Sequence, residues 1–498
     1  MKVDVLVAEI GSTTTVVNAF NDINTENPIF WGQGQASTSV LDGDVRVGLQ
    51  GAIDDLCQKM NVDSIEYDEM LATSSAAGGL KMTVHGLVYD MTAKAAKEAA
   101  LGAGGIIHHI TAGRLRRTDL QKIKEIKPNL ILIAGGVDYG ERETSLHNAE
   151  MIKSMGLKIP VVYAGNCENQ EEIKLIFDEE SQTKLYVVEN VYPKIDDLNV
   201  EPCRAVIQDA FEEHIVHAPG MEHVREMVNG PIVPTPGAVM ECAKLLYQCI
   251  GNLIVFDVGG ATTDLHSVTE DSDQVSRILI SPEPKAKRTV EGDLGVYVNM
   301  ENIVKVIGKE KLQEELPDID ISKIIENYKP IPVTDDEMKF VERLAKEAVL
   351  KAAERHAGQI RYIYGPSGRS TLAEGKDLTL VKYIVGTGGA LTRLPNRIGI
   401  LKEIARHNET GLLLFPGEHA EILIDNDYIM ASLGVLSKKY KNAAIKLLEK
   451  SLKFKFPEKK AGLQGEKPKY EIELEQLEME RIEKEKFYAD HIKETQSK

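Results

Sequence analysis

This 498-residue chain is poor in several residue types. It has five cysteines, Cys57, Cys167, Cys203, Cys242 and Cys249, scattered with no CxxC pair and no histidine at metal-finger spacing. That pattern gives no support for a disulfide framework or a structural zinc site, and it suits a reducing compartment. No apolar run approaches the ~20 residues that span a bilayer. The opening MKVDVLVAEIG is too short in apolar length, and lacks the small-residue cleavage site, to act as a secretion signal. A cytoplasmic protein without a membrane partner is therefore expected. Positive charge is also in deficit: 59 Lys and Arg against 77 Asp and Glu leave a formal net charge of −18. Such a chain is repelled by nucleic acid and by anionic membrane surfaces.

Two turns, about half the chain apart, resemble each other. AEIGSTTTV at 8–16 follows the apolar run VDVLV, and FDVGGATTD at 256–264 follows LIVF. Each reads as strand, tight glycine turn and second strand, with an acidic residue (Glu9, Asp257) two positions before a glycine. Small residues let backbone N–H groups approach an anion closely. Gly11, Ser12, Thr13 and Thr14 in the first turn, and Gly259, Gly260, Ala261 and Thr262 in the second, are thus candidates to grip one polyphosphate from two similar lobes. A strand-end carboxylate beside such a loop can hold Mg²⁺, directly or through its water shell, or orient an attacking water. Taken alone, the first turn reads equally well as a plain β-hairpin.

Between these turns the pattern changes. Residues 129–190 alternate NLILIAGG, RETSLHNAEMIKSM, KIPVVYAG, NQEEIKLIFDE and KLYVVENV, which predicts a small parallel α/β unit. Before it, strands are expected at 3–9, 14–20 and 68–73 and helices at about 44–60 and 90–103. After it come helices at 202–228 and 237–249, then a helix-rich stretch at 298–357. The expected divisions are a first lobe at 1–128, an inserted unit at 129–235, a second lobe at 236–452 and a charged tail at 453–498. A third glycine cluster, VGTGGA at 385–390, closes an apolar strand and opens a helix. Its Gly386, Gly388 and Gly389 suit either close packing or the approach of a flat base. The adjacent pair His108-His109 in IIHHI predicts one core and one surface residue, because neighbours on a strand face opposite ways. Ser74, Ser75, Gly78 and Gly79 read as a plain connection, and Cys242 and Cys249, seven apart on a helix, as core.

In this order the three elements resemble the phosphate-1, phosphate-2 and adenosine motifs of the ATPase superfamily of actin, sugar kinases and heat-shock chaperones. GGALTRLP is similar to the adenosine-motif segment of those chaperones. The resemblance implies an α/β fold of two RNase H-like (actin-like ATPase) lobes with an inserted α/β unit, and ATP or ADP with Mg²⁺ between the lobes. By the same resemblance, Gly11 to Thr14 and Gly259 to Thr262 hold phosphates, and Gly386, Gly388 and Gly389 flank the adenosine. Glu9 and Asp257 are then the catalytic residues that face the metal. The superfamily usually has Asp where this chain has Glu9, which implies a slow ATPase.

Within the superfamily, PTPGAVMECAKLLYQCIGNLIVFDVGGATTDL resembles the hydantoinase/oxoprolinase branch. The segments LATSSAAGGLKM (71–82), ILIAGGVDYGERETSLHNAEMI (131–152) and TVEGDLGVYVN (289–299) resemble GlmL (MutL-type) proteins. Those are accessory proteins of adenosylcobalamin-dependent glutamate mutase. The resemblance implies a reactivating chaperone whose partners are the subunits of such a mutase or an aminomutase, expelling damaged cobalamin at the expense of ATP. A small-molecule kinase or hydantoinase-like hydrolase, a non-catalytic nucleotide-gated scaffold, and a homo-oligomeric state are left open.

Overall fold

The computed structural model describes residues 1–457 apart from 12–13, 40–42, 76–79, 178–182, 216–219, 222, 231, 366–367 and 409. Met1–Lys455 form one compact unit. Ser12, Thr13, Gly78 and Gly79, and the tail beyond Pro457, lie outside the described residues.

The chain opens with β1 (Lys2–Ile10), β2 (Thr14–Asn21), β3 (Ile29–Ser37) and β4 (Glu66–Ser74). β1 is buried almost throughout its second half, which is why its sequence is a near-continuous apolar run. β1, β2 and β3 form an antiparallel meander, and β4 pairs parallel to β1 after the helix Val45–Met60. Asp44 caps that helix through its side chain, and Asn61 ends it in the left-handed region.

A second sheet interrupts the first. β5 (Lys81–Gly86), β6 (Ile106–Ala112), β7 (Leu130–Ile133), β8 (Val161–Tyr163) and β9 (Leu185–Val187) are all parallel, in the order β6-β5-β7-β8-β9. This is the doubly wound order of flavodoxin-like units. Its faces separate with a period of two: Leu130 and Leu132 join the large core shared with the first sheet, whereas Ile131 and Ile133 join a core of their own. The inserted sheet therefore also takes in β5 and β6, ahead of the alternation at 129–190 that made it legible. Apolar periodicity does not say which sheet a strand joins. His108 is exposed, while His109 is part-buried near Asp119 and the edge of the His85 ring.

β10 (Ile232–Pro234) returns to the first sheet beside β4, completing the order β10-β4-β1-β2-β3. The last sheet repeats that plan. β11 (Leu253–Val258), β12 (Thr263–Val268) and β13 (Ala286–Glu291) form an antiparallel meander. After the hairpin of β14 (Gln359–Gly365) and β15 (Gly368–Glu374), β16 (Tyr383–Thr387) pairs parallel to β11 and β17 (Glu421–Ile424) parallel to β16. The order β13-β12-β11-β16-β17 matches the first sheet strand for strand and sense for sense. The chain is thus an α/β protein of two like lobes, with a doubly wound sheet inserted between β4 and β10 of the first.

Two helices join the lobes. Thr235–Ile250 leaves β10 and leads into β11, with Cys242 buried and Cys249 only part-buried. Met430–Leu436, which follows β17, packs on Thr235–Ile250 and on β1 and β4. At their crossing Gly434 lies so close that an added Cβ falls 1.9 Å from the Ala238 carbonyl oxygen. Gly434→Ala must push the helices apart and is expected to cost about 2 kcal/mol, seen as a lower Tm. Gly292→Ala, where a Cβ meets nothing within 4 Å, is the control and should leave Tm unchanged.

Candidate functional site

The two sequence turns occupy matching places in the two sheets. In the first, Gly11 N–H donates to the Thr14 carbonyl (3.0 Å), and in the second Gly259 N–H donates to the Thr262 carbonyl (2.9 Å). Glu9 and Asp257 are each the penultimate residue of their strand. Glu9 stands opposite Val16 and beside Thr73, and Asp257 stands opposite Asp264 and beside Thr387. The repeat thus extends from topology to register.

The second turn is turned outward by its neighbours. Val296 N–H bonds the Gly259 carbonyl, Tyr297 and Val298 N–H bond that of Gly260, and the Asn299 side-chain amide bonds that of Ala261. With the carbonyls engaged on that side, the N–H groups of Gly260, Ala261 and Thr262 have no backbone partner among the described residues. An array of unpartnered N–H groups on a glycine turn can take an anion. Thr14 is exposed where β2 begins.

The third cluster divides into separate roles. Gly386 is buried inside β16, where a Cβ would press on Leu401, Ile424 and Leu391, so it serves packing. Gly388 has φ +84, and a Cβ there would come within 2.5 Å of an Asp257 carboxylate oxygen. Only glycine lets the chain pass so near that carboxylate. Gly389 is exposed, with open space beyond it.

Carboxylates dominate the place where these elements meet. Glu9 Oε1 accepts from Ser432 Oγ (2.5 Å), Ser432 N–H (3.1 Å) and Asn18 Nδ2 (3.3 Å), leaving Oε2 for a further partner. Burial raises the Glu9 carboxyl to about 7, with Asp425 adding to the effect and the Ser432 and Asn18 bonds opposing it. Asp257 accepts no side-chain hydrogen bond among the described residues. Desolvation, then Asp264, Glu9 and Asp425, raise it to about 7 against the pull of Arg288. Because Asp257 keeps some exposure, Glu9 is the better basis for a pH argument. Asp425 is tied down by Thr387 Oγ1 (2.9 Å), Ser451 Oγ (2.6 Å) and the N–H groups of Ile429 and Met430. Asp264 accepts from Thr262 Oγ1 (3.0 Å) and pairs with the fully buried Arg288 (2.6 Å). Arg288 in turn donates to the Leu101 and Gly105 carbonyls of the inserted unit.

The structure therefore brings Glu9, Asp257 and Gly388 together. It adds Asp425, Ser432, Asn18 and Arg288, to which the sequence reading assigned no role. Asp425 ends the apolar run EILID as Asp257 ends LIVFD, a signal that could have identified it. Ser432 carries no such signal. Glu291 is buried and with Asp293 holds Arg355.

Glu9 makes stability depend on pH. Between its ordinary 4.5 and about 7 the folded chain keeps a proton that the unfolded chain has lost. Stability therefore falls as pH rises through that window and stays low above it. Glu9→Gln, which mimics the protonated form, should match the parent at pH 5 and exceed it at pH 8 by on the order of 3 kcal/mol in denaturant titrations. A parent chain of equal stability at both pH values would show that Glu9 holds no such proton.

Comparison with known proteins gives three kinds of similarity. Residues 5–452 match the MutL protein family. The chain is 38% identical to Protein MutL of Clostridium tetanomorphum over 461 residues, covering 90% of this chain and 98% of that one. Among solved structures it is similar to nucleotide-free acetone carboxylase (12% identity, 87% of this chain and 70% of that one, TM-score 0.41). It is also similar to glycerol dehydratase reactivase (11%, 87% and 99%, TM-score 0.31) and to nucleotide-free diol dehydratase-reactivating factor (11%, 88% and 99%, TM-score 0.35). These scores are low, so the fold assignment rests on strand order and register. Among the described residues no helix is long and apolar enough to cross a membrane.

Proposed function

Because the chain belongs to the MutL protein family, we propose that it is an ATP-dependent accessory protein of an adenosylcobalamin-dependent mutase, glutamate mutase or an aminomutase, and that it releases damaged cobalamin from that enzyme. The observation that carries the nucleotide part is the repeated turn. Two lobes of one topology present matching glycine turns and strand-end carboxylates, and Gly388 of the third cluster abuts one of those carboxylates.

In this reading Gly260, Ala261 and Thr262 donate N–H groups to the phosphates from the second lobe, and Gly11 and Thr14 approach from the first. Gly388 and Gly389 leave room for the adenosine. The residues present fit a hard divalent cation: Asp257 has uncommitted carboxylate oxygens, Glu9 has Oε2, and both carboxyls are raised to about 7, so nearby positive charge favours their ionised forms. Mg²⁺, when bound, supplies neutralising charge beside the phosphates. Asp257 would orient the attacking water. Contacts to both turns distinguish the triphosphate from the diphosphate, and this difference in affinity is what can shift one lobe arrangement toward another. Cytoplasmic residence and a mutase surface as the docking partner complete the proposal.

The test is ATP hydrolysis by the full chain, alone and with a mutase inactivated by hydroxocobalamin. The expected result is slow basal turnover, stimulation by the inactive mutase, and recovered mutase activity on adding adenosylcobalamin. Asp257→Ala should lower turnover by about 100-fold while circular dichroism stays that of the parent. Absence of ATP binding would overturn the nucleotide reading, and ATP turnover indifferent to the mutase would overturn the partner.

A further inference from the structure

Away from the nucleotide cleft, a cavity of about 140 Å³ lies where the inserted unit meets the last sheet. One wall is the segment following β5, the other is Lys287 on β13. The segment begins as a single π-helical turn, Tyr89–Ala93, a rare form frequent at functional sites. It continues as the helix Lys94–Gly102, which brings Lys94, Lys97 and Glu98 to the cavity.

Glu98 is the unusual group here. It is 2% exposed, and its Oε2 has no hydrogen-bond partner among the described residues. A buried carboxylate without a donor is costly, so such a group calls for a partner. Two of the nearby ammonium groups are already engaged. Lys94 Nζ bonds one oxygen of Glu283 (2.6 Å) and Ser281 Oγ (2.9 Å), and Lys287 Nζ bonds the other oxygen of Glu283 (2.6 Å). Lys287 lies close enough to Glu98 to balance its charge, but Glu98 Oε2 still lacks a donor, and Lys97 lacks an ion pair among the described residues. Asp90 adds a second carboxylate to the lining, and Ala93 and Ile110 form its apolar wall.

We propose that this cavity binds a small zwitterion of the α-amino acid class, its ammonium group on Glu98 and its carboxylate on Lys97. A cavity of ~150 Å³ takes a molecule of about benzene's size, so the ligand has roughly six to ten heavy atoms. An inorganic anion is disfavoured by the buried carboxylate, and a bare cation by the surrounding ammonium groups. Neither can both donate to Glu98 Oε2 and pair with Lys97, as a zwitterion does.

The experiment uses the full chain and calorimetric titration with each of the twenty common L-amino acids in turn. The best binder is then compared with the amine and the carboxylic acid that each lack one of its charged groups. Saturable binding of at least one amino acid is expected, weakened roughly 10- to 100-fold by Glu98→Gln, by Lys97→Met and by loss of either charged group. Both variants should bind ATP as the parent does, which shows that their folds are intact. The proposal fails if no amino acid binds, or if binding is indifferent to both substitutions. It fails equally if crystals grown with the amino acids show only water or an alkali ion in the cavity.

Discussion

Like charges held together in a partly dry cleft are the constraint on which the rest of the molecule depends. Folding the same five-strand plan twice sets Glu9 and Asp257 at equivalent strand ends, and closing the lobes brings them into one region with Asp264 and Asp425. Four carboxylates with one buried guanidinium are not stable as four free charges. The chain meets this in two ways. It surrounds Glu9 and Asp425 with hydroxyl and N–H donors, and it leaves Glu9 and Asp257 raised toward the protonated form. A cleft of this kind is poised for positive charge and for donors that a ligand can supply or engage.

Arg288 extends that constraint outward. It is among the largest fully buried side chains in the molecule, and it joins Asp264, behind the second turn, to two carbonyls of the inserted unit. Arg204 makes a parallel link, donating to the Glu98 carbonyl on one side and the Ala286 carbonyl on the other. Breaking either link leaves buried carbonyls and guanidinium N–H groups without their partners. The inserted unit is therefore anchored to β13 of the last sheet, rather than hung from the first lobe alone.

What could be read from the sequence was local. The turns at Gly11 and Gly259 were legible because an apolar strand, an acid, a glycine and small hydroxyl residues are neighbours in the chain. The helix at 45–60 and the alternation at 129–190 were legible through their periods. Sheet membership was not: β5 and β6 have no local feature that assigns them to the inserted sheet, and the irregular Gly-rich strand β3 went unread. The cleft itself was only half legible. The bond from Ser432 to Glu9 spans 423 residues, and that between Thr387 and Asp425 depends on parallel pairing that neither segment specifies alone. Gly386 shows another limit, since its motif suited either packing or a ligand and only its surroundings reveal the packing contact.

The insertion between β4 and β10 also sets an order of assembly. Ala72 of β4 pairs with Ile232 of β10, so the first sheet cannot be completed until the whole inserted unit has been made and its ends brought together. The strands of the inserted sheet are closer in sequence than the 160 residues between Ala72 and Ile232, so closing them costs less chain entropy. Glu9 waits longer still, until the helix carrying Ser432 is made. β1 is thus among the last strands to acquire its final neighbours, and it stays without that cover until the segment around Ser432 has been made.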